Sequence, residues 1–341
     1  MSLSKKPTGK VVLIDYTAEL FSPVGFEAEL LAEVGATWEV YQVKSKEEVV
    51  QVAADADVVA VQATYPWLTR EVLEQLTRCR CTIRAGAGYD SIDYKAATEL
   101  GIMVCNAPTY CTDDVAEHAI ALMLGCIRNL TRQDAAIRRN EYRKAKALAL
   151  PTHRVAQRTL GIIGLGRIGS RVARRMMGFD MTVLAYDPYV SQNYADLLGI
   201  KMVSLEELLE RSDFITVHCL LTEETHHLLS WDEFARITPG AILVNPARGL
   251  IGHQEPLVEA LKDGRVWAAG LDVTEIEPLP PDSPLLELDN VILTPHSSAS
   301  TPEAREDLYR LICEISADVV RGRIPRFVVN PEVLSHLKKV E

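Results

Sequence analysis

Short β-branched runs alternate with amphipathic helical patterns through the chain, and this alternation limits its fold more than any other feature. "VVLID" (11–15), "VVAV" (58–61), "CTIR" (81–84) and "IMVCN" (102–106) read as buried strands. A second series follows: "TLGIIG" (159–164), "TVLAYD" (182–187), "FITVHC" (214–219), "AILVNP" (241–246), "AAGLDV" (268–273) and "VILTPH" (291–296). Segments such as "LTREVLEQLTRC" (68–79) carry apolar residues at helical spacing between them. Strand–helix alternation of this kind predicts parallel sheets covered by helices, here in two α/β units. A long helical stretch from about Thr112 to Ala149 separates the two series, with Asp113 and Asp114 at the positive end of its dipole. A second long helix is expected over Pro302–Arg321, and the tail "GRIPRFVVNPEV" is expected to return to the first unit. The boundaries read as 1–108 plus 299–341 for a discontinuous first domain and 109–298 for the second.

With 341 residues there is enough chain for two cores, and the net charge of −11 argues against nucleic acid, which needs a basic field. The local basic run "RRNEYRKAKA" (138–147) reads as a solvated helix face. Seven cysteines without a C-x-x-C pair suggest reduced thiols in a cytosolic, cytoplasmic setting. The start "MSLSKKPTGK" lacks an apolar signal core, and the longest apolar run, "AIALMLGCI" (119–127), is too short to cross a bilayer.

"GIIGLGRIGSRVARRMMGFDMTVLAYDPY" (161–189) carries the chemistry of a dinucleotide site. Gly164, Gly166 and Gly169 follow a strand and open a helix. Their roles are a tight turn, backbone access for a pyrophosphate, and close helix–strand packing, with the phosphates facing free N–H groups. Asp187 ends the next strand, about 18 residues on, where a carboxylate takes both ribose hydroxyls and repels a 2′-phosphate. The expected cofactor is therefore NAD.

Hydride chemistry on a 2-oxo acid needs a cation for the carboxylate and a proton donor. Arg248 in "NPARGL" (245–250) lies past a strand's carboxyl end, where ligands bind in open α/β sheets, and its planar fork suits a carboxylate. His296 in "TPHSSAST" (294–301) lies at another such end and is a candidate proton shuttle. A carboxylate beside an imidazole favours its protonated form and fixes its orientation. Asp272, Glu275, Glu277 and Asp282, crowded into "GLDVTEIEPLPPDSPLL" (270–286), all qualify, and spacing does not choose among them.

The chain resembles the D-isomer-specific 2-hydroxyacid dehydrogenases, which include phosphoglycerate dehydrogenase and the C-terminal-binding corepressors. The resemblance rests on "RAGAGYDSID", "NAP…DDVAEHAIALML", "GIIGLGRIG", "VNPARG", "GLDVTEIEPLP" and "TPHSSAST", in family order. It implies two Rossmann-like or flavodoxin-like domains with the cofactor in the cleft between them, and a homodimer built on the long helices. It also implies a catalytic set of Arg248, Glu277 and His296. Asp272 would bond the nicotinamide carboxamide, with further cofactor contacts at Thr112, Arg167, Ile168, Cys219, Pro246 and Ala247. The substrate carboxylate would lie on Ala85, Gly86, Ala87 and Gly88, with Arg84 beside them. Glu275 and Asp282 are left as surface acids.

The chain departs from the family pattern where "V-D" is replaced by Gly252 and His253, at a helix-capping position from which His253 could also reach the site. The three histidines of "HCLLTEETHHLL" (218–229) raise zinc, but no Cys/His spacing supports a closed site, so no metal is expected. An NADH-sensing, partner-binding role like that of the corepressors is the alternative. Against it, those proteins carry a tryptophan where this chain has Ala299. An aromatic cluster at Tyr65, Pro66 and Trp67 could read the substrate side chain, or simply pack. The expected partner is a small 2-oxo or 2-hydroxy acid, with neither nucleic acid nor membrane.

Overall fold

The computed structural model describes residues 9–150 and 152–335. The opening stretch 1–8, read for a signal core, and the last six residues lie outside the described chain. The chain divides into two compact units, one running to Cys111 and resuming at Ser300, the other Thr112–Ala299.

Among the described residues the first unit holds five parallel strands: β1 (Gly9–Ile14), β2 (Ala36–Tyr41), β3 (Val58–Val61), β4 (Cys81–Arg84) and β5 (Met103–Asn106). Their order is β2-β1-β3-β4-β5. Every residue of β3, β4 and β5 is buried, as strands of a parallel sheet covered on both faces require, including the polar Thr82, Arg84 and Asn106. β2 lies at the sheet edge, and all but Ala36 of its residues keep partial exposure. In 68–79 only Arg70–Leu73 forms regular helix. The tail returns to this unit: Val329 N–H donates to Val104 O at 2.8 Å, and Asn330 Oδ1 accepts from Val104 N–H at 2.7 Å.

The second unit holds seven parallel strands among the described residues. These are β6 (Thr159–Ile163), β7 (Thr182–Tyr186), β8 (Lys201–Met202), β9 (Phe214–Val217), β10 (Ala241–Asn245), β11 (Val266–Leu271) and β12 (Val291–Leu293). Their order, β12-β11-β10-β9-β6-β7-β8, places the reversal of winding between β6 and β9. In an open parallel sheet that switch point leaves a crevice at the carboxyl ends of the strands.

The expected helix from Thr112 to Ala149 is three: Thr112–Ile127, Leu130–Arg138 and Tyr142–Leu148. Asn129 and Asn140 separate them in the left-handed conformation, which asparagine adopts more readily than most residues. The first of these helices buries Val115, Ala119, Leu122, Met123 and Cys126 at helical spacing. A Cβ on Gly270 would lie 2.8 Å from Leu122 Cβ, so the glycine of β11 lets this helix close onto the sheet. Truncating a buried leucine such as Leu122 costs about 2–5 kcal/mol. The helix Pro302–Val320 ends one residue short of the expected limit.

Candidate active site

In the second unit the candidate residues follow the carboxyl ends of parallel strands. The glycine loop follows β6, Asp187 β7, Cys219 β9, Arg248 β10, Asp272 β11 and His296 β12. The shared strand direction therefore gathers residues far apart in sequence at one edge.

At the switch point, Gly164 takes φ +94, and a Cβ there would lie 2.5 Å from Cys219 N. Only glycine permits that approach. A Cβ on Gly169 would meet Gly164 O at 2.2 Å, so the helix Arg167–Met177 is seated directly on the loop. A Cβ on Gly166 would meet nothing within 4 Å. Gly166, at the N-cap of that helix, makes no side-chain cap, so open space lies before amino-terminal N–H groups without helical partners. A pyrophosphate fits this cradle. Arg167 is exposed beside it, while Ile168 packs against the unit's core. Asp187 accepts from Leu165 N–H and Tyr189 N–H, both at 2.9 Å, which ties the carboxylate to the glycine loop. Burial pushes the Cys219 thiol up to about 12, so it is a neutral wall of the crevice. Thr112 opens a helix whose Asp113 pairs with Arg175 at 2.8 Å, on the helix that starts at the glycine loop.

Asn245, which the sequence reading did not single out, shapes the next loop. Its buried amide accepts from Ala247 N–H at 3.0 Å and donates to Arg248 O at 2.9 Å, folding Pro246 and Ala247 into a fixed turn. Arg248 is half-buried and donates from Nη1 to Ala247 O at 2.8 Å. A Cβ on Gly249 would meet Thr274 O at 2.0 Å, so the loops after β10 and β11 run against each other.

Glu277 is the acid that meets the histidine. His296 Nδ1 lies 2.8 Å from Glu277 Oε2, while Oε1 of the same carboxylate accepts Thr274 N–H at 3.1 Å. With the carboxylate as acceptor, Nδ1 carries the proton of this bond, and Nε2 is left for exchange with a substrate. His296 has φ +54, a conformation costing a non-glycine residue about 1–3 kcal/mol. Its N–H is held by Asp272 O at 2.8 Å.

Asp272 is fully enclosed and organises the whole segment. Its carboxylate accepts from Thr294 Oγ1 at 2.6 Å and from Ser297 and Ser298 N–H, both at 2.9 Å. Burial alone would raise this carboxyl, but the hydroxyl and N–H donors outweigh it and hold it below its ordinary 3.8. His118 Nε2 lies 3.0 Å from Thr294 Oγ1 and 3.6 Å from Asp272 Oδ1. Because the threonine proton goes to the aspartate, His118 donates from Nε2. His118 was also not singled out, although "AEH" stood inside a quoted motif.

Two expectations change. Glu275 is not a free surface acid: its Oε1 accepts Gln254 N–H at 2.8 Å and lies 3.1 Å from His227 Nε2. His253 does not join His296. It stands at the N-cap of the helix Gln254–Lys262 without capping it, stacked on His227 with centroids 4.4 Å apart. Asp282 is exposed.

In the first unit, Arg84 ends β4 buried, with Nη1 donating to Ala85 O at 2.6 Å. A Cβ on Gly86 would lie 2.6 Å from that nitrogen, so the guanidinium folds over the turn. Gly86 O accepts Ala107 N–H at 2.9 Å, and Ala87 O accepts Asn106 Nδ2 at 2.6 Å, while Ala87 and Gly88 keep partial exposure. Trp67 is buried and its indole N–H donates to Asp15, so it packs, while Tyr65 and Pro66 are exposed. All seven cysteines are free thiols, and among the described residues no helix is long and apolar enough to cross a membrane.

Residues 120–298 match the family model described as D-isomer specific 2-hydroxyacid dehydrogenase, NAD binding domain. The chain is 42% identical over 303 residues to the D-3-phosphoglycerate dehydrogenase of Methanocaldococcus jannaschii, covering 89% of this chain and 57% of that protein. It thus spans little more than half the length of that relative. It is 40% identical over 291 residues to the glyoxylate reductase of Korarchaeum cryptofilum, covering 85% of this chain and 87% of the other. Among solved structures, the D-lactate dehydrogenase of Aquifex aeolicus complexed with NAD and lactic acid superimposes with a TM-score of 0.80. It shares 29% identity and covers 97% of this chain and 99% of that one.

Proposed function

The chain belongs to the D-isomer-specific 2-hydroxyacid dehydrogenase family and carries its NAD-binding domain; from that premise we propose that it interconverts a small 2-oxo acid and the D-2-hydroxy acid. The observation that carries this reading is the hydrogen-bonded His296–Glu277 pair on the sheet edge that also bears the glycine loop, Asp187 and Arg248. Bound NADH would supply hydride to the carbonyl carbon. His296 donates the proton from Nε2 to the carbonyl oxygen, and in the reverse direction takes it back as the neutral base. Glu277 fixes the tautomer and aim of the ring and balances its charge. Arg248 grips the substrate carboxylate and offsets negative charge on the oxygen.

The cradle at Gly164, Gly166 and Gly169 would hold the pyrophosphate, and Asp187 the adenosine ribose, with Thr112, Arg167, Ile168, Cys219, Pro246 and Ala247 lining the cofactor. Asp272 would reach the carboxamide with lone pairs left after its bonds to Thr294, Ser297 and Ser298. In the first unit, the 85–88 turn with Arg84 is the proposed site for the substrate carboxylate. A buried guanidinium folded over a glycine turn supports that assignment. We place the enzyme in the cytoplasm as a homodimer. The exposed Leu130, Ile137, Tyr142 and Leu150 in the helical region that follows Ile127 support self-association.

The test is NADH oxidation at 340 nm against 2-oxo acids from glyoxylate and hydroxypyruvate to branched and aromatic members, with light scattering for the dimer. Turnover of one class is expected. Tight NADH binding with no turnover of any member would overturn the proposal and favour a cofactor-sensing, partner-binding protein.

A further inference from the structure

We propose that His227, His253 and Glu275 form a binding site for one divalent ion of the zinc class, separate from the His296–Glu277 pair. One ligand atom from each of the three residues lies within 4.8 Å of the others. They come from three segments: the loop before Ser230, the start of the helix Gln254–Lys262, and the loop after β11. Two imidazoles with one carboxylate form a donor set that zinc accepts with a position left open.

The contact between His227 and Glu275 is the observation that points to an ion. His227 Nε2 is buried and lacks a hydrogen-bond partner, although Glu275 Oε1 is only 3.1 Å away. The oxygen lies off the direction in which an imidazole N–H can donate, so a simple histidine–carboxylate pair does not account for the arrangement. Two ligands bound to one zinc at about 2.0–2.2 Å in tetrahedral array lie about 3.3 Å from each other. The observed spacing is that of neighbouring ligands.

The surroundings have the character of a second coordination layer. Gln254 N–H fixes Glu275 Oε1 at 2.8 Å, and His253 Nδ1 lies 3.2 Å from Ser230 Oγ, a partner that sets a tautomer. His227 is held at φ +52, with its N–H on Leu250 O at 2.8 Å. The two rings stack at an interplanar angle of 4°, so coordination requires one ring to turn about its χ2. A cavity of about 380 Å³ lined by His253, Glu259, Lys262 and Glu275 opens beside two of the three ligands and leaves room for water in the open position. His253 departs from the family pattern read in the sequence, and none of the three residues belongs to the catalytic set proposed above. The site is also independent of the proposed reaction.

The test is calorimetric titration of this 341-residue chain, treated with chelator, with Zn²⁺, with Co²⁺ absorption in the visible to report coordination. We expect one ion per chain, bound at least about 10–100-fold more weakly by His253→Ala, which removes a donor, and by the isosteric Glu275→Gln. His296→Ala should bind it as the wild type does. NADH affinity of each variant reports that the second unit is folded, and Glu275→Gln carries the test if His253→Ala does not fold. Absence of binding by the wild type, or unchanged affinity in Glu275→Gln, would overturn the proposal.

Discussion

Two histidine–glutamate pairs share one loop. Glu275 faces His227 and Glu277 faces His296, at 3.1 and 2.8 Å, and both histidines sit at positive φ. Distance alone does not separate them; direction does. The His296 contact is a hydrogen bond that fixes a tautomer, on a segment that Asp272 holds through Thr294, Ser297 and Ser298. The His227 contact is no hydrogen bond, and its neighbours are another imidazole and a helix N-terminus. One arrangement can move a proton along a set axis; the other resembles ligands around a shared cation.

The sharpest contrast comes from removing each ring. His296→Ala should lower kcat by about 10²–10⁴-fold, the range for a lost general acid, while His227→Ala stays within about threefold of wild type. Equal losses would abolish the distinction. Glu277→Gln, which keeps an acceptor but not the charge, should cost about 10–100-fold in kcat, against less than about threefold for Glu275→Gln. A Glu275→Gln enzyme as slow as Glu277→Gln would mean that both pairs serve the reaction. Thr294→Val probes the scaffold of the first pair: it strips a donor from buried Asp272 and should cost about 1–3 kcal/mol in urea unfolding.

The last effect is one of pH. Burial pushes His218 from its ordinary 6.5 down to about 3, so the folded chain keeps it neutral while the unfolded chain gains a proton below pH 6.5. Its contribution to stability is therefore complete above pH 6.5 and is lost as pH falls toward 3, by up to about 1.4 kcal/mol per unit. Urea midpoints between pH 7 and 5 should fall less steeply in His218→Asn, and parallel slopes would refute the assignment.

Sequence and structure agree best where the signal is local. β3 is legible because its β-branched run, buried on both faces, has no polar residue to interrupt it. The glycine loop is legible because its three glycines answer to steric contacts within one strand–turn–helix unit. The breaks at Asn129 and Asn140 were hidden because helical periodicity continues through a single left-handed residue. The choice of Glu277 among four acids could not come from spacing. It follows from the pairing of Leu271 with Leu293, which sets the acidic loop beside the histidine loop. His118 was hidden for a related reason: its partners Thr294 and Asp272 lie on other segments, and only packing of its helix on the sheet unites them. His227, His253 and Glu275 converge from three segments with no ligand spacing that a linear reading could detect.

The account stands most directly on a double-mutant cycle: kcat for wild type, His296→Ala, Glu277→Gln and the double variant, at saturating NADH and 2-oxo acid. If Glu277 acts through His296, the glutamine substitution should cost nothing more once the imidazole is gone, leaving a coupling of about 1.4–2.7 kcal/mol. Additive losses would contradict the account, because Glu277 would then contribute to the reaction independently of the histidine it touches.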